Sequence, residues 1–156
     1  MTDVIHHADR RYRPRPTAAV NDFVVKFANV NCSGSASANA LFAKSILRMG
    51  VPIAPRNIFP SNIQGLPTWY EISANKSGYT ARAIDYDLMV AMNAQTYDAD
   101  IREVRAGGYV MFDSTWPLDE ALLRPDVHLL GVSFADMCNE HFSGARLGEP
   151  NFPNDE

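Results

Sequence analysis

Apolar and polar residues alternate along the chain in blocks that predict strands and helices in turn. The β-branched, apolar run Phe23–Val30 predicts a first strand. Ala36–Met49 then follows with the spacing of an amphipathic helix, which Gly50 ends. The predicted inward face of this helix carries Leu41, Phe42, Ile46 and Met49. The chain therefore opens its folded part with a strand–helix unit.

The next segment predicts an antiparallel insertion. Val51–Ile53 is a short extended piece cut by Pro52, and the stretch from Pro55 to Pro67 carries few signals of regular structure. Thr68–Ala74 and Tyr79–Ile84 are rich in strand-forming residues and flank the turn sequence 75–78, which ends in glycine. These two runs predict a β-hairpin.

The second half of the chain returns to alternating strands and helices. The predicted strands are Asp87–Met92, Tyr109–Phe112 and Val127–Val132, and the predicted helices are Ala99–Val104, broken by Gly107-Gly108, and Phe134–Phe142. Short parallel-type strands separated by helices are typical of an α/β protein. We therefore predict a three-layer α/β/α sandwich around a mixed, mostly parallel sheet with the inserted antiparallel hairpin.

Charge and composition divide the chain into three parts. Residues 1–21 form a basic arm with Arg10, Arg11, Arg13 and Arg15, which is either solvated or clamps an acidic partner subunit. Residues 22–144 are the α/β domain, for which 46% hydrophobic residues supply a core. Residues 145–156 are polar and rich in proline, and we expect a disordered tail.

The net charge and the cysteines exclude several classes of function. The net charge of −4 argues against nucleic acid as a partner, and no apolar run is long enough to span a membrane, so we expect a soluble, cytoplasmic protein. Cys32 and Cys138 lie far apart without the neighbours of a zinc or iron–sulfur site, so no metal site is predicted and both are expected to be free thiols.

The turn between the first strand and the first helix is the main candidate site. Its small residues let a ligand approach the backbone, and the helix that begins near Ser35 directs unpaired N–H groups at a phosphate or carboxylate. The site residues predicted here are Asn31, Cys32, Ser33, Gly34, Ser35 and Ala36. The alternative is an ordinary turn in which Ser35 caps the helix and Gly34 takes a positive φ.

A second polar turn is predicted at the same sheet edge. Asn93, Gln95 and Thr96 follow the strand Asp87–Met92, and we predict that they form another wall of the crevice. The alternative is that Thr96 only caps the next helix and that Asp113 only forms a turn. No strong base or nucleophile is evident, since the sequence around His6, His7, His128 and His141 shows no catalytic arrangement, and a nucleophilic Cys32 is the one open catalytic alternative.

Several stretches resemble a known family. They are Asn31–Asn39, Arg48–Pro52, Asn57–Glu71, Asp87–Asn93 and Gly107–Asp113, within about Asp22 to Arg146. They are similar to the gamma domain of 2-oxoacid:ferredoxin oxidoreductases, above all to the N-terminal part of the alpha subunit of 2-oxoglutarate:ferredoxin oxidoreductase. The family usually has glycine where Cys32 stands. Its domain also continues further, so we expect this chain to be a fragment, a split subunit or a degenerate copy.

The resemblance implies a part of a multisubunit enzyme that oxidatively decarboxylates a 2-oxoacid, such as 2-oxoglutarate to succinyl-CoA, and reduces ferredoxin. It implies coenzyme A at the turn before the first helix, with thiamine diphosphate, Mg²⁺ and iron–sulfur clusters on partner subunits or domains. The chain is then not catalytic alone. A non-catalytic assembly module is the alternative, because the apolar residues Ile58, Phe59, Ile63, Leu66, Trp69 and Tyr70 either fill the core or face another subunit.

Overall fold

The computed structural model describes residues 21–60, 63–78, 85–115 and 118–141. The strands are β1 Asp22–Val30, β2 Ile53–Ile58, β3 Pro67–Asn75, β4 Tyr86–Ala91, β5 Val104–Asp113 and β6 His128–Val132. The helices are α1 Ser35–Arg48, α2 Tyr97–Arg102 and α3 Phe134–His141, with single 3₁₀ turns at Ala94–Thr96 and Glu120–Leu122. No helix within these ranges is long and apolar enough to cross a membrane. The predicted basic arm and tail lie outside the described residues.

One six-stranded sheet with the order β2-β3-β1-β4-β5-β6 organises the described residues. The pairs β1–β4, β4–β5 and β5–β6 are parallel, whereas β3 runs antiparallel to both of its neighbours, β1 and β2. The mixed, mostly parallel sheet is therefore confirmed. The antiparallel insertion, however, pairs β3 with β2, and the segment 79–84 that was expected as its partner lies outside the described residues. The turn at 75–78 is present, with Gly78 at φ 69°.

Apolar side chains pack on both faces of the sheet, which confirms the three-layer arrangement. Ala43 and Ile46 of α1 pack with Tyr70 and Ile72 of β3 on one face. On the other face Ile101 of α2 joins a larger group of buried residues, which includes Met89, Val104 and Val110. Alternate residues of a strand point to opposite faces of the sheet. Tyr70 therefore belongs to the first group, and its neighbour Trp69 packs with the second.

The buried face of α1 differs from the predicted one. Ile46 is buried as expected, and Phe42 packs edge-to-face on Phe27 with ring centroids 5.6 Å apart, but Leu41 and Met49 are 65% and 73% exposed. The buried residues are Asn39, Ala43 and Ile46. Both sets have helical spacing, so periodicity does not choose between them. The face with the smaller side chains is the one that lies on the sheet.

Two strands run through residues that were expected to interrupt them. β2 contains Pro55, contrary to the prediction of a long irregular stretch. A proline is tolerated there because β2 is an edge strand, where a missing N–H on the solvent side breaks no hydrogen bond of the sheet. β5 runs through Gly107-Gly108, which was predicted as a break. The register between β4 and β5 shifts there, with Gly107 at φ 80°. The pair therefore forms a bulge within one strand, and α2 ends earlier than predicted.

We expect Gly108→Ala to destabilise the fold. A Cβ at this position would lie 2.6 Å from Val104 Cγ1 and 3.0 Å from the backbone oxygens of Arg105 and Asp87. Overpacking of this kind typically costs about 1–3 kcal/mol. Urea unfolding measures the loss. Gly131→Ala is the matched control, because its added Cβ meets only side-chain atoms, the nearest at 3.3 Å. Equal stability of both variants would contradict the close packing at the bulge.

Candidate functional site

The sheet reverses its winding direction between β1 and β4. These two strands lie side by side and parallel. From β1 the chain passes through α1 to β2 at one edge of the sheet, whereas from β4 it passes through α2 to β5 in the opposite direction. In sheets of this kind the connections diverge at the carboxyl ends of the two central strands and leave a crevice there, where ligands bind.

A cleft of about 350 Å³ opens at the carboxyl end of β1. That volume lies at the lower end of the range of small-molecule sites. The lining residues come from β1, the turn after it, α1, β2, the segment after β2, and β3: Asn29, Asn31, Cys32, Gly34, Ser35, Ala36, Asn39, Asn57, Phe59, Thr68, Trp69 and Tyr70. Of the turn residues predicted from the sequence, all except Ser33 line this cleft. None of these described lining residues is charged.

The amino terminus of α1 faces the cleft without a side-chain cap. Gly34 is the N-cap residue, with φ 80° and ψ −4°, and no side chain accepts a hydrogen bond from the first turn. The alternative in which Ser35 caps the helix is therefore wrong, whereas the positive φ of Gly34 is confirmed. Because the first helical bond joins Ala38 N–H to Gly34 O, the N–H groups of the preceding helical residues have no acceptor within the helix. They carry the positive end of the helix dipole into the cleft.

Asparagine amides form the buried floor of the cleft. Asn29 and Asn39 are each 8% exposed. The only hydrogen bond of the Asn29 amide within the described residues is a long one of 3.4 Å to Phe27 O. The Asn39 amide makes none to any described residue, although it lies on the face of α1 that meets the sheet. The Asn39 amide is thus open to a hydrogen bond from a group that enters the cleft.

Cys32 occupies a conformation that a side chain rarely adopts. Its φ is 66°, in the left-handed region, which costs roughly 1–2 kcal/mol for a residue with a Cβ. The Asn31 side chain supports the turn, since its Oδ1 accepts a 3.0 Å hydrogen bond from Cys32 N–H. The prediction of a free thiol is confirmed for Cys32, which is exposed. The side chain of Cys138 lies outside the described part of the chain.

The second predicted wall makes its polar contacts within the fold. Asn93 is buried, donates a 3.4 Å hydrogen bond to Asn29 O and accepts one of 3.1 Å from Gln95 N–H. Thr96 Oγ1 donates to Asn93 O at 3.2 Å. None of these side chains lines the cleft. Asn93 nevertheless joins the ends of β1 and β4, and the ligand role of this turn stays a prediction.

The other candidates have structural contacts. Asp113 Oδ1 accepts hydrogen bonds from the N–H and the hydroxyl of Thr115, as expected of a turn residue. The His128 ring stacks on Tyr109 with centroids 4.7 Å apart, which is consistent with a structural role. Among the described residues no three His, Cys, Asp or Glu side chains are grouped closely enough to hold a metal ion.

Comparison with known proteins now places the chain. Residues 24–154 match the pyruvate ferredoxin/flavodoxin oxidoreductase family. The chain belongs to this family. The matched range contains the residues that line the cleft and every strand in full except β1, whose first two residues precede it. The resemblance predicted from the sequence is confirmed, and none of the curated proteins matches the chain.

Solved structures of oxidoreductases share the fold. A 2-oxoglutarate:ferredoxin oxidoreductase from Magnetococcus marinus, with 2-oxoglutarate, coenzyme A and succinyl-CoA bound, superposes with a TM-score of 0.69 at 18% identity. The match covers 78% of this chain and 22% of that one, so our chain spans about a fifth of the larger protein.

Two separate subunits are also similar. Pyruvate oxidoreductase subunit PORC from Thermotoga maritima has a TM-score of 0.58 at 14% identity, over 80% of this chain and 68% of that one. The gamma subunit of a keto/oxoacid ferredoxin oxidoreductase from Geobacter sulfurreducens has a TM-score of 0.60 at 13% identity, over 75% and 64%. At these identities the likeness concerns the fold, and it is the fold of gamma-type domains.

In this oxidoreductase-family domain, sequence reasoning missed much of the cleft. The residues not predicted include Asn29, Asn39, Asn57 and Thr68, which come from elements other than the turn. Asn39 alone had a usable signal. It lies four and seven residues before the buried Ala43 and Ile46, so a polar amide interrupts an otherwise apolar helical face.

A buried charged network on the opposite face of the sheet was also missed. Lys26 of β1 is 5% exposed, forms an ion pair with Glu103 and lies 3.9 Å from Asp100 Oδ1. Asp100 is 1% exposed and accepts a 2.7 Å hydrogen bond from Trp69 Nε1. Burial raises the pKa of the Asp100 carboxyl, against the opposing effects of hydrogen bonds from Thr96 and Trp69 and of the Lys26 charge.

This network also holds the start of β3 in place. The Lys26 ammonium lies 5.4 Å from the centre of the Trp69 ring and 4.8 Å from that of Tyr86, and the Tyr86 hydroxyl donates to Glu71 at 3.0 Å. Because Trp69 also lines the cleft, its indole hydrogen bond to Asp100 couples α2 to the cleft wall. The network thus fixes the position of a cleft residue from the far side of the sheet.

Asp100→Asn should change how stability depends on pH. The pKa of Asp100 is raised in the folded state, so its stabilising contribution is complete below the unfolded pKa and disappears as the pH rises through the folded pKa. The difference in free energy of unfolding, wild type minus variant, should therefore fall as the pH rises above the unfolded pKa of an aspartate, about 4. Urea unfolding of both proteins at several pH values measures it. A difference that grows toward neutral pH would contradict the assignment.

Proposed function

We propose that this chain is a gamma-type domain of a 2-oxoacid:ferredoxin oxidoreductase and contributes the coenzyme A side of the reaction. The observation that carries the proposal is the uncapped amino terminus of α1, which opens into a cleft with the unpaired amide of Asn39. Coenzyme A is an anionic ligand with amide groups, and both features match that site. The bound coenzyme A in the Magnetococcus marinus relative supports this choice of ligand.

The polar groups of the cleft suit separate parts of coenzyme A. The open N–H groups of the first turn of α1 offer a phosphate several donors and the helix dipole, in place of a lysine or arginine. The amides of Asn29 and Asn39 can pair with the neutral amides of the pantetheine arm. A cleft of about 350 Å³ holds part of the cofactor, so neighbouring domains would cover the remainder.

The chain supplies binding and orientation rather than bond cleavage. Thiamine diphosphate with Mg²⁺ and iron–sulfur clusters, which we assign to partner subunits or domains, would supply decarboxylation and electron transfer to ferredoxin. We infer 2-oxoglutarate as the 2-oxoacid, with succinyl-CoA as the product, from the sequence resemblance. On this proposal the chain acts within a multisubunit cytoplasmic enzyme and has no activity by itself.

Ser35→Asp tests the anion site directly. A carboxylate at the first residue of α1 interacts favourably with the helix dipole, so the fold should stay stable. The same carboxylate repels a phosphate bound at this place. We expect coenzyme A to bind at least about tenfold more weakly. Ser35→Asn is the matched control, because it adds similar bulk without charge. Titration calorimetry on the assembled enzyme measures the affinity, and equal binding by both variants would refute the site.

Asn39→Leu tests the floor of the cleft. Leucine is the better helix former and buries apolar surface where the fold provides no partner for an amide, so the free energy of unfolding should rise by on the order of 1 kcal/mol. Loss of one ligand hydrogen bond should weaken coenzyme A binding about fivefold. Chemical unfolding and calorimetry measure the two effects. A variant that is less stable and binds equally well would show that Asn39 serves the fold alone.

Assembly is the second candidate function, and exposed apolar side chains favour it. Phe59, Ile63 and Leu66 are 51%, 62% and 39% exposed, whereas Tyr70 is buried and Ile58 and Trp69 are half-buried. The predicted apolar block is thus divided between the core and the surface. The exposed part lies beside the cleft, which Phe59 lines. A partner subunit bound there would bury apolar surface and close the cleft at the same time.

Ile63→Ser should weaken the complex with the thiamine-binding subunit. Burial of an isoleucine side chain contributes about 1.5–3 kcal/mol, so the dissociation constant should rise about tenfold or more. Sedimentation of the mixed subunits measures the change. Leu123→Ser is the control, since Leu123 is 52% exposed and lies outside this segment. Equal complex formation by both variants would count against assembly through this surface.

A further inference from the structure

The thiol of Cys32 lies in the wall of the same cleft and is not needed for the proposed binding. Cys32 is an exposed, free cysteine and lines the cleft together with Gly34 and Ser35. The second observation is Asn39, which is more than nine-tenths buried in that cleft and makes no side-chain hydrogen bond to the described residues. A reactive type of side chain therefore lies beside a buried amide that has no partner within the described fold.

We propose that Cys32 is a site of reversible mixed-disulfide formation with a small disulfide that carries carboxylates, and that a carboxylate of the adduct docks at the amino terminus of α1. The consequence for regulation is that the adduct occupies the cleft and excludes coenzyme A. That consequence rests on the proposed function, whereas the modification itself does not.

The reaction is a balanced thiol–disulfide exchange. The Cys32 thiolate attacks one sulfur of the small disulfide, a new S–S bond forms to Cys32, and the original S–S bond breaks. The leaving half takes up a proton and departs as a free thiol. The small disulfide is the oxidant, and one of its sulfurs is reduced. A dithiol reductant reverses the exchange by the same chemistry.

The surroundings of the thiol select a negatively charged reagent. The first turn of α1 contains no acidic residue, and no side chain caps its N–H groups. Among the described residues that line the cleft none is Asp or Glu, so an incoming carboxylate meets no like charge from them. Helix dipoles favour anions at this end, and the effect weakens in salt. An anionic disulfide should thus react faster than a cationic one.

The turn also presents the thiol in a fixed position. Cys32 lies in the left-handed region at φ 66°, and Asn31 Oδ1 holds its backbone N–H at 3.0 Å. The residue sits before the helix, so its side chain is not part of the helical packing against the sheet. Modification therefore changes the content of the cleft without disturbing the core.

The test compares oxidised glutathione with cystamine, an anionic and a cationic disulfide. Cys138→Ser leaves Cys32 as the only thiol of the chain. Intact-mass spectrometry follows adduct formation at low and high salt. We expect oxidised glutathione to react several-fold faster than cystamine at low salt, and the ratio to fall as salt is added. Ser35→Asp and Asn39→Leu should each slow the glutathione reaction several-fold and leave the cystamine reaction no slower. Cys32→Ser should give no adduct.

Equal rates for the two disulfides, or rates unchanged by Ser35→Asp and Asn39→Leu, would overturn the proposed site. A separate measurement tests whether the adduct blocks coenzyme A. It compares the rise in melting temperature that coenzyme A causes before modification, after modification and after reduction with dithiothreitol. Loss and recovery of that rise support the blockade, and a rise that survives modification overturns it. If the reduced protein shows no rise while glutathione selectivity is intact, the proposed function fails and the modification site stands.

Discussion

The parallel pairing of β1 with β4 is the constraint on which the rest of the structure depends. It joins Val25–Ala28 to Leu88–Ala91 in the middle of the sheet. Because α1 and α2 leave these strands in opposite directions, neither helix covers the carboxyl end of β1. Asn93 bridges the two strand ends through Asn29 O, which keeps the crevice between fixed walls. The cleft opens beside this junction, between β1, α1, β2 and β3, and the turn after β1 forms part of its wall.

Polar side chains near the carboxyl ends of β1, β4 and β5 differ in whether the fold pairs them. Asn93 and Asp113 have side-chain partners within the fold, whereas Asn39 has none among the described residues. Cys32 adds an unfavourable backbone conformation at the same place. Groups that weaken the fold and gather in one cleft are expected where a ligand completes the interactions. The Lys26–Asp100 network makes no contact with Cys32 or Asn39, but it holds the Trp69 side chain, which lines the cleft.

Local sequence patterns were sufficient for several elements and for the turn after β1, and insufficient for the features that depend on neighbours. β1, α1 and β4 follow from runs of apolar residues and from glycine at the helix boundary. The buried side of α1 could not be predicted, because Leu41 and Asn39 belong to stripes of equal helical spacing and the sheet decides between them. The pairing of β3 likewise depends on which strand reaches its free edge, which no local signal encodes. The amide floor of the cleft was missed for the same reason.

Exposed apolar residues and an incomplete cleft have one physical explanation. Large hydrophobic side chains are in contact with water at Leu41 and Leu47 on α1, at Met49 just after it, and at Phe59 and Ile63 after β2. The cleft, which Phe59 lines, has a volume of about 350 Å³, and none of the described residues that line it is charged. Both features are expected of a domain whose surface is completed by another domain, since the same contact buries the apolar side chains and adds walls to the site. The family membership of the chain agrees with this reasoning, because the Magnetococcus marinus relative embeds the same fold in a much longer protein.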